Sequence, residues 1–174
     1  MYEYIRYSSP LGPLTLAAEG DALTALVFAG QKYAARHLAG EGRERETPVL
    51  HAARLWLDAY FAGQRPDVSV LPLSPAGSDF QRAVWRELLA IPYGQTATYG
   101  RIAARLGSSA RAVGGAVGRN PISLIIPCHR VLGAGGSLTG YAGGLDRKRA
   151  LLTMEGAGFL PDGRVDMKSY RREI

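Results

Sequence analysis

Cysteine is almost absent from this 174-residue chain, and Cys128 is the only one. A single thiol excludes an internal disulfide and any multi-cysteine zinc site, and it suits a reducing compartment. Histidine is scarce too, with three, so little metal-binding capacity remains and no metal is expected. No stretch approaches the roughly 18 apolar residues of a membrane span, and the opening Met-Tyr-Glu-Tyr-Ile-Arg lacks a basic segment followed by an apolar one. The expectation is a cytoplasmic protein with no membrane partner. What is present is ordinary: 47% hydrophobic and 21% charged residues describe a soluble globular chain, long enough for one large domain or two small ones.

Charge is unevenly distributed. Residues 1–78 hold 7 Lys/Arg against 8 Asp/Glu, a net of −1, whereas residues 79–174 hold 14 against 7, a net of +7. A basic C-terminal half is a footprint suited to a polyanion such as nucleic acid, although basic surfaces also serve solubility.

Residues 1–30 predict a β meander, with strands over 2–7, 14–18 and 23–28 punctuated by Ser-Pro-Leu-Gly-Pro and Glu-Gly-Asp turns. Residues 40–47 read as a charged loop, and 48–61 as a helix with Leu50, Leu57 and Phe61 on one stripe. The proline-bearing segment 64–77 is the best candidate linker, dividing the chain into domains 1–77 and 78–174. Ser78-Asp79-Phe80-Gln81 matches a capping box, followed by Phe80, Val84, Trp85, Leu88 and Leu89 at helical spacing. Helices over 98–106 and 110–119, joined by Gly107-Ser108-Ser109, have helix-turn-helix spacing.

The second of those helices, Ala110-Arg111-Ala112-Val113-Gly114-Gly115-Ala116-Val117-Gly118-Arg119, offers almost no side chain able to read a base edge. Interior glycines cost about 1 kcal/mol each relative to alanine. Two readings compensate for that cost: close approach of a bulky partner such as a duplex in its minor groove, or tight packing inside the protein. Downstream come a strand-like 123–126, a glycine-rich loop over 133–144 containing Tyr141, and a helix over 145–155.

The chemistry centres on Pro127-Cys128-His129-Arg130. A thiol attacks as thiolate, and an adjacent imidazole and guanidinium favour that form. Pro127 should end the preceding element, so that Cys128 surfaces into a loop. Glu155 lies three and four residues beyond Leu152 and Leu151, where it is either an exposed helix-end residue or a buried carboxylate ordering His129.

Pro127-Cys128-His129-Arg130-Val131, the upstream Ala110-Arg111-Ala112-Val113-Gly114-Gly115-Ala116 with Asn120-Pro121, and the downstream Gly140-Tyr141-Ala142-Gly143-Gly144 together resemble the O6-alkylguanine-DNA alkyltransferases. The resemblance covers residues 79–174 closely. It implies an α/β (α+β) chain, with an N-terminal ribonuclease-H-like antiparallel sheet plus helix and a mostly helical, winged helix-turn-helix-like C-terminal domain. It implies an irreversible, single-turnover transfer from O6-alkylguanine, with O4-alkylthymine as a second candidate substrate, to Cys128. His129, bridged to the thiol by a water and held by Glu155, would take the proton. Tyr99 would assist flipping and donate to the guanine ring nitrogen, and Arg111 would fill the gap left by the base. Ala112, Gly115 and Arg119 would complete the DNA face. Asn120, Val131, Tyr141, Ala142 and Gly143 would form the pocket, with the carbonyls of Cys128 and Val131 accepting from the exocyclic amine. The implied partner is double-stranded DNA bound through its minor groove without sequence specificity, by a monomer that needs no cofactor.

Two departures from the family pattern stand out. Ala142 occupies a position where some relatives carry a serine, leaving only a backbone donor, and the cysteines of the N-terminal zinc site of certain relatives are absent. The competing classes are a cysteine hydrolase, which usually brings Cys and His together from distant sequence positions, and a lesion-binding module or regulator without a nucleophile.

Overall fold

The computed structural model describes residues 1–168, which form two compact units, one of residues Met1–Ala76 with Pro121–Ile125, the other of Gly77–Asn120 with the chain from Ile126 onward.

In the first unit, strands β1 (Tyr2–Ser9), β2 (Gly12–Glu19) and β3 (Ala22–Phe28) form an antiparallel meander. The short helix α1 (Ala34–His37) follows, then β4 (Gly42–Glu44), and the sheet order is β3-β2-β1-β4. Residues 40–47 are therefore not simply a loop: β4 adds to β1 in parallel, its charged side chains exposed on an edge, where period-2 burial leaves no hydrophobic signal. Helix α2 (Pro48–Phe61) starts where the sequence predicts, because Thr47 accepts from the Leu50 amide and Pro48 at the first turn needs no donor. It lays Leu50, Ala53, Leu57 and Tyr60 on the sheet, over a face that includes Leu14, Leu16 and Leu26.

The segment read as a linker is partly attached. Leu23 N–H donates to the Pro72 carbonyl at 2.9 Å and Ser74 N–H to the Leu23 carbonyl at 2.8 Å, so the unit boundary falls only at Ala76–Gly77. Nor is 123–126 a strand. Leu26 N–H donates to the Pro121 carbonyl and Ser123 N–H to the Leu26 carbonyl, both at 2.9 Å, after which the chain turns through Leu124 at φ +70°. The Leu-Ile-Ile run marks burial, and with a single bridge at Ile122 it makes no ladder. Pro121–Ile125 thereby joins the first unit, whereas the sequence reading puts it in the second.

The second unit is mostly helical: α3 (Asp79–Leu89), β5 (Ala97–Thr98), α4 (Tyr99–Leu106), α5 (Ala110–Gly118), β6 (Val131–Leu132) and α6 (Leu145–Met154). The capping box forms, with Ser78 Oγ accepting from Gln81 N–H and Gln81 Oε1 from Ser78 N–H. Trp85 on α3 is 2% exposed and its indole N–H donates to the Ala116 carbonyl at 2.9 Å, which fixes α5 against α3. Gly107 takes φ +61°, the left-handed conformation that lets α4 end and the chain turn into α5 within three residues. The two-residue strands β5 and β6 pair in parallel, and this short ladder joins the start of α4 to the chain leaving Cys128.

Candidate active site

Cys128 opens a single 3-10 turn, Cys128–Arg130, that runs directly into β6. It is only 4% exposed, and every residue from 121 to 132 is buried. The expected surface loop is thus a buried turn: Pro127 ends no strand, and Cys128 N–H reaches back to the Ile126 carbonyl at 2.8 Å. Asn120 secures the same stretch, donating from Nδ2 to the Ile126 carbonyl at 2.9 Å.

His129 is wholly buried, and its Nε2 lies 2.6 Å from Glu155 Oε2. Glu155, at the C-cap of α6, is the buried carboxylate of the two readings, not an exposed helix end. It also accepts from Arg130, Nε to Oε1 at 2.7 Å and Nη2 to Oε2 at 3.2 Å. Burial alone would raise this carboxyl, but His129 and Arg130 together hold it far below the usual carboxylate range. Glu155 is therefore ionised and can only accept, so Nε2 of His129 carries the proton. Burial, outweighing Glu155, pushes the imidazole below its ordinary value and keeps it neutral. A neutral ring protonated on Nε2 has a basic Nδ1, and that atom is buried with no hydrogen-bond partner among the described residues.

Arg130 has a different role from the one its place in the sequence suggests. Its guanidinium is engaged by Glu155 and by the Ile91 carbonyl, at 2.7 Å. Burial raises the Cys128 thiol, opposed by the Asn120 side chain and by the charge of Lys148. Lys148 is the functional candidate that sequence reasoning misses. Its signal is present, since it lies three and four residues before the buried Leu151 and Leu152 and so shares their face of α6.

Tyr99, the first residue of α4, donates its hydroxyl to the Thr139 carbonyl at 2.9 Å, and burial together with the Cys128 charge pushes its phenol up to about 12. Tyr141 is raised by the same causes; its hydroxyl is buried, makes no hydrogen bond of normal geometry, and feels Cys128 most among its charged neighbours. Ala142 and Gly143 lead from Tyr141 into α6, and Val131 begins β6. Tyr99, Asn120, Val131 and Tyr141 are thus linked to the Cys128–His129–Glu155 cluster through hydrogen bonds, charge or chain connectivity. Arg111 and Ala112 stand apart from it, exposed on the first turn of α5, while Arg119 bends back to the Gly115 carbonyl at 3.0 Å. A cavity of about 460 Å³ opens beside Tyr99, lined by Thr98, Gly100, Ala110 and the glycines after β6; Cys128 is not in its wall.

The glycines of α5 distinguish the two readings of that helix. A Cβ on Gly114 would meet only Tyr99 Cδ1 at 3.9 Å, one on Gly115 only the far end of Arg119 at 3.5 Å, and one on Gly118 nothing. Internal packing does not require them.

Comparison with known proteins decides the family. The model for the 6-O-methylguanine DNA methyltransferase DNA binding domain matches residues 79–157, and that for the ribonuclease-like domain of the same proteins matches residues 2–75. This chain belongs to the 6-O-methylguanine DNA methyltransferase family. It is 49% identical over 160 residues to a methylated-DNA-protein-cysteine methyltransferase of Mycobacterium tuberculosis, covering 89% of this chain and 93% of that one. It is 42% identical over 170 residues to the Haemophilus influenzae protein of the same name, covering 95% and 92%. Among solved structures it is similar to Mycobacterium tuberculosis OGT in complex with DNA, with a TM-score of 0.77 and 46% identity over 88% of this chain and 92% of that one. Among the described residues no three His, Cys, Asp or Glu side chains gather as a metal site, and no helix is long and apolar enough to cross a membrane.

Proposed function

We propose that this member of the family repairs alkylated DNA directly, through one irreversible transfer of an alkyl group from O6-alkylguanine to Cys128. The observation that carries the reading is the free, basic Nδ1 of His129, held in that tautomer by an ionised Glu155, next to the only thiol of the chain. The proton leaves Cys128 for Nδ1 through a bridging water as sulfur bonds to the alkyl carbon, and the carbon–O6 bond breaks. The released electron pair enters the guanine ring system, where the Tyr99 phenol donates a hydrogen bond to the ring nitrogen as negative charge develops, and the proton taken from Cys128 by His129 is returned through solvent to the guanine. A carbonyl oxygen has two lone pairs, so Val131, which already accepts from Lys148, retains one for the exocyclic amine of the base. The backbone amide of Ala142 faces O6, and Tyr141 and Gly143 wall the pocket. The resulting thioether has no ready leaving group, so each molecule acts once.

An alkyl group inside a duplex is out of reach, so the nucleotide is extruded, at a cost of a few kcal/mol that is least for a weakly paired base. Arg111 fills the gap, while Ala112, Gly115 and Arg119 meet the minor groove, where the absent side chains of α5 let the backbone approach. Phosphate contacts from the basic C-terminal half give affinity without sequence preference, and the protein acts as a monomer in the cytoplasm.

Incubation with a duplex carrying labelled O6-methylguanine tests this. One methyl mass per chain is expected on the peptide containing Cys128, and none in Cys128→Ser, which still binds DNA. Modification elsewhere, or continued turnover, overturns the assignment.

A further inference from the structure

Beyond Glu155 the chain takes no part in the proposed chemistry, yet it folds back against the site as a tight hairpin. Phe159 and Val165 face each other in an antiparallel bridge, Leu160 N–H donates to the Arg164 carbonyl at 2.8 Å, and Asp166 N–H donates to the Gly158 carbonyl at 2.8 Å. Val165 is wholly buried with Leu132, Leu152 and Ala157, while Leu138, Phe159 and Met167 pack around them. The same hairpin grips the turn Ala134–Gly136 in the loop after β6. Val165 N–H donates to the Gly136 carbonyl at 2.9 Å. Gly136 takes φ +86°, and a Cβ on it would stand 2.7 Å from the Val165 carbonyl oxygen and 3.4 Å from Met167 Cγ, so only glycine lets the two segments come this close.

The loop held in this way is the one that the proposed function gives to the base pocket. Its far end is fixed from inside: the Thr139 carbonyl accepts from the Tyr99 hydroxyl at 2.9 Å and from Lys148 at 3.0 Å, and the Gly140 carbonyl accepts from Lys148 at 3.1 Å, directly before Tyr141. Its near end carries Gly133, Gly135 and Gly136, residues that lose the most backbone freedom on ordering and have no side chain to anchor them. The anchor comes from the hairpin. Met167 is only half-buried, which makes it the part of the hairpin that the small core needs least, but it stands in the wall of the cavity beside Tyr99 together with Leu132 and the glycine turn.

We infer that the hairpin over residues 157–168 is a brace for alkyl transfer, with Met167 as its positioning residue: packed on Gly136 in the wall it shares with Tyr99, Met167 holds the glycine loop, and through it Thr139 and Tyr141, where the base must sit. The inference rests on Cys128 being the alkyl acceptor. In the full-length protein, Met167→Ala should slow the limiting rate of single-turnover transfer by about tenfold or more, from an O6-methylguanine duplex and from free O6-methylguanine alike, because a shift of about 1 Å in the pocket suffices for such a loss. Reaction of Cys128 with iodoacetamide uses the thiol but no base pocket, and it should not fall by more than about twofold. Met167→Leu restores the packed volume and should restore transfer. Hydrogen exchange reads the loop itself: the Gly133, Gly136 and Ser137 amides, which donate to carbonyls within the loop, should exchange faster in Met167→Ala. Wild-type transfer rates in Met167→Ala overturn the inference, as does an iodoacetamide rate that falls as far as transfer, or a leucine variant as slow as the alanine one. Should the alanine variant fail to fold, Met167→Val, a smaller truncation, is read by the same assays and the same criteria. If the loop amides loosen but the wild type transfers no methyl group, the proposed function fails and the bracing of the loop stands.

Discussion

At the scale of single residues, Glu155 carries two duties that substitution separates. It orients His129, and it neutralises Arg130, whose residue is only 8% exposed. Glu155→Gln leaves that guanidinium buried without its carboxylate, so a loss of about 3–5 kcal/mol of stability is expected alongside slow transfer, read by denaturant unfolding and by single-turnover kinetics. An unaltered unfolding midpoint would show that Arg130 finds compensation elsewhere. Acid should produce a related loss. The Glu155 carboxyl is depressed in the folded state, so its contribution is fully present above its unfolded pKa near 4.5 and is lost as pH falls below that value. His129 is also lowered from 6.5, so protons bind the unfolded chain more readily and the decline starts earlier, below about pH 6.5. Melting temperature measured from pH 8 down to pH 4 should fall in that order, first gently and then steeply.

At the scale of elements, α5 gives the clearest prediction, because its glycines are unneeded by the fold. Gly115→Ala removes an interior glycine, and a Cβ there meets only Arg119 Nη1, at an ordinary contact distance of 3.5 Å, so stability should rise by up to about 1 kcal/mol in thermal or denaturant unfolding. Duplex binding should weaken in the same variant, as the added methyl stands on the face that the proposed function gives to the DNA. A gain in stability with undiminished binding would place the DNA elsewhere. Elements with strong periodicity or caps were legible in the sequence: α2 behind Thr47-Pro48, α3 behind its capping box, and α4 and α5 around Gly107. Those held by partners distant in sequence were not. β4 shows only exposed charged residues, the β5–β6 ladder has two residues a side, and the apolar 123–126 run is turned aside by hydrogen bonds to β3. The site divides the same way. Cys128, His129 and Glu155 could be read from type and spacing, whereas the commitment of Arg130 to Glu155 and the carbonyl cage of Lys148 depend on contacts that only the folded chain reveals.

At the scale of the whole molecule, the proposed function gives chemistry and extrusion to separate residues, and the substrate can be chosen to engage one or both. On that proposal the thiol, His129, Glu155 and the pocket suffice for an alkylated base free in solution. On the same proposal a duplex also requires that the base be unstacked, the task it gives to Arg111, which is exposed at the start of α5. Arg111→Ala should therefore slow repair of duplex DNA far more than reaction with free O6-methylguanine, since only the first must meet an unstacking cost of a few kcal/mol. Salt distinguishes this from simple loss of charge. The net +7 of residues 79–174 predicts duplex affinity that falls steeply with ionic strength, and removing one arginine can change that logarithmic slope by no more than about one. A defect in duplex repair that persists at saturating DNA, with the slope changed by one or less, assigns Arg111 to extrusion. Equal impairment of free-base and duplex reactions would instead place Arg111 in the pocket chemistry, and a defect abolished by excess DNA would reduce it to a phosphate contact.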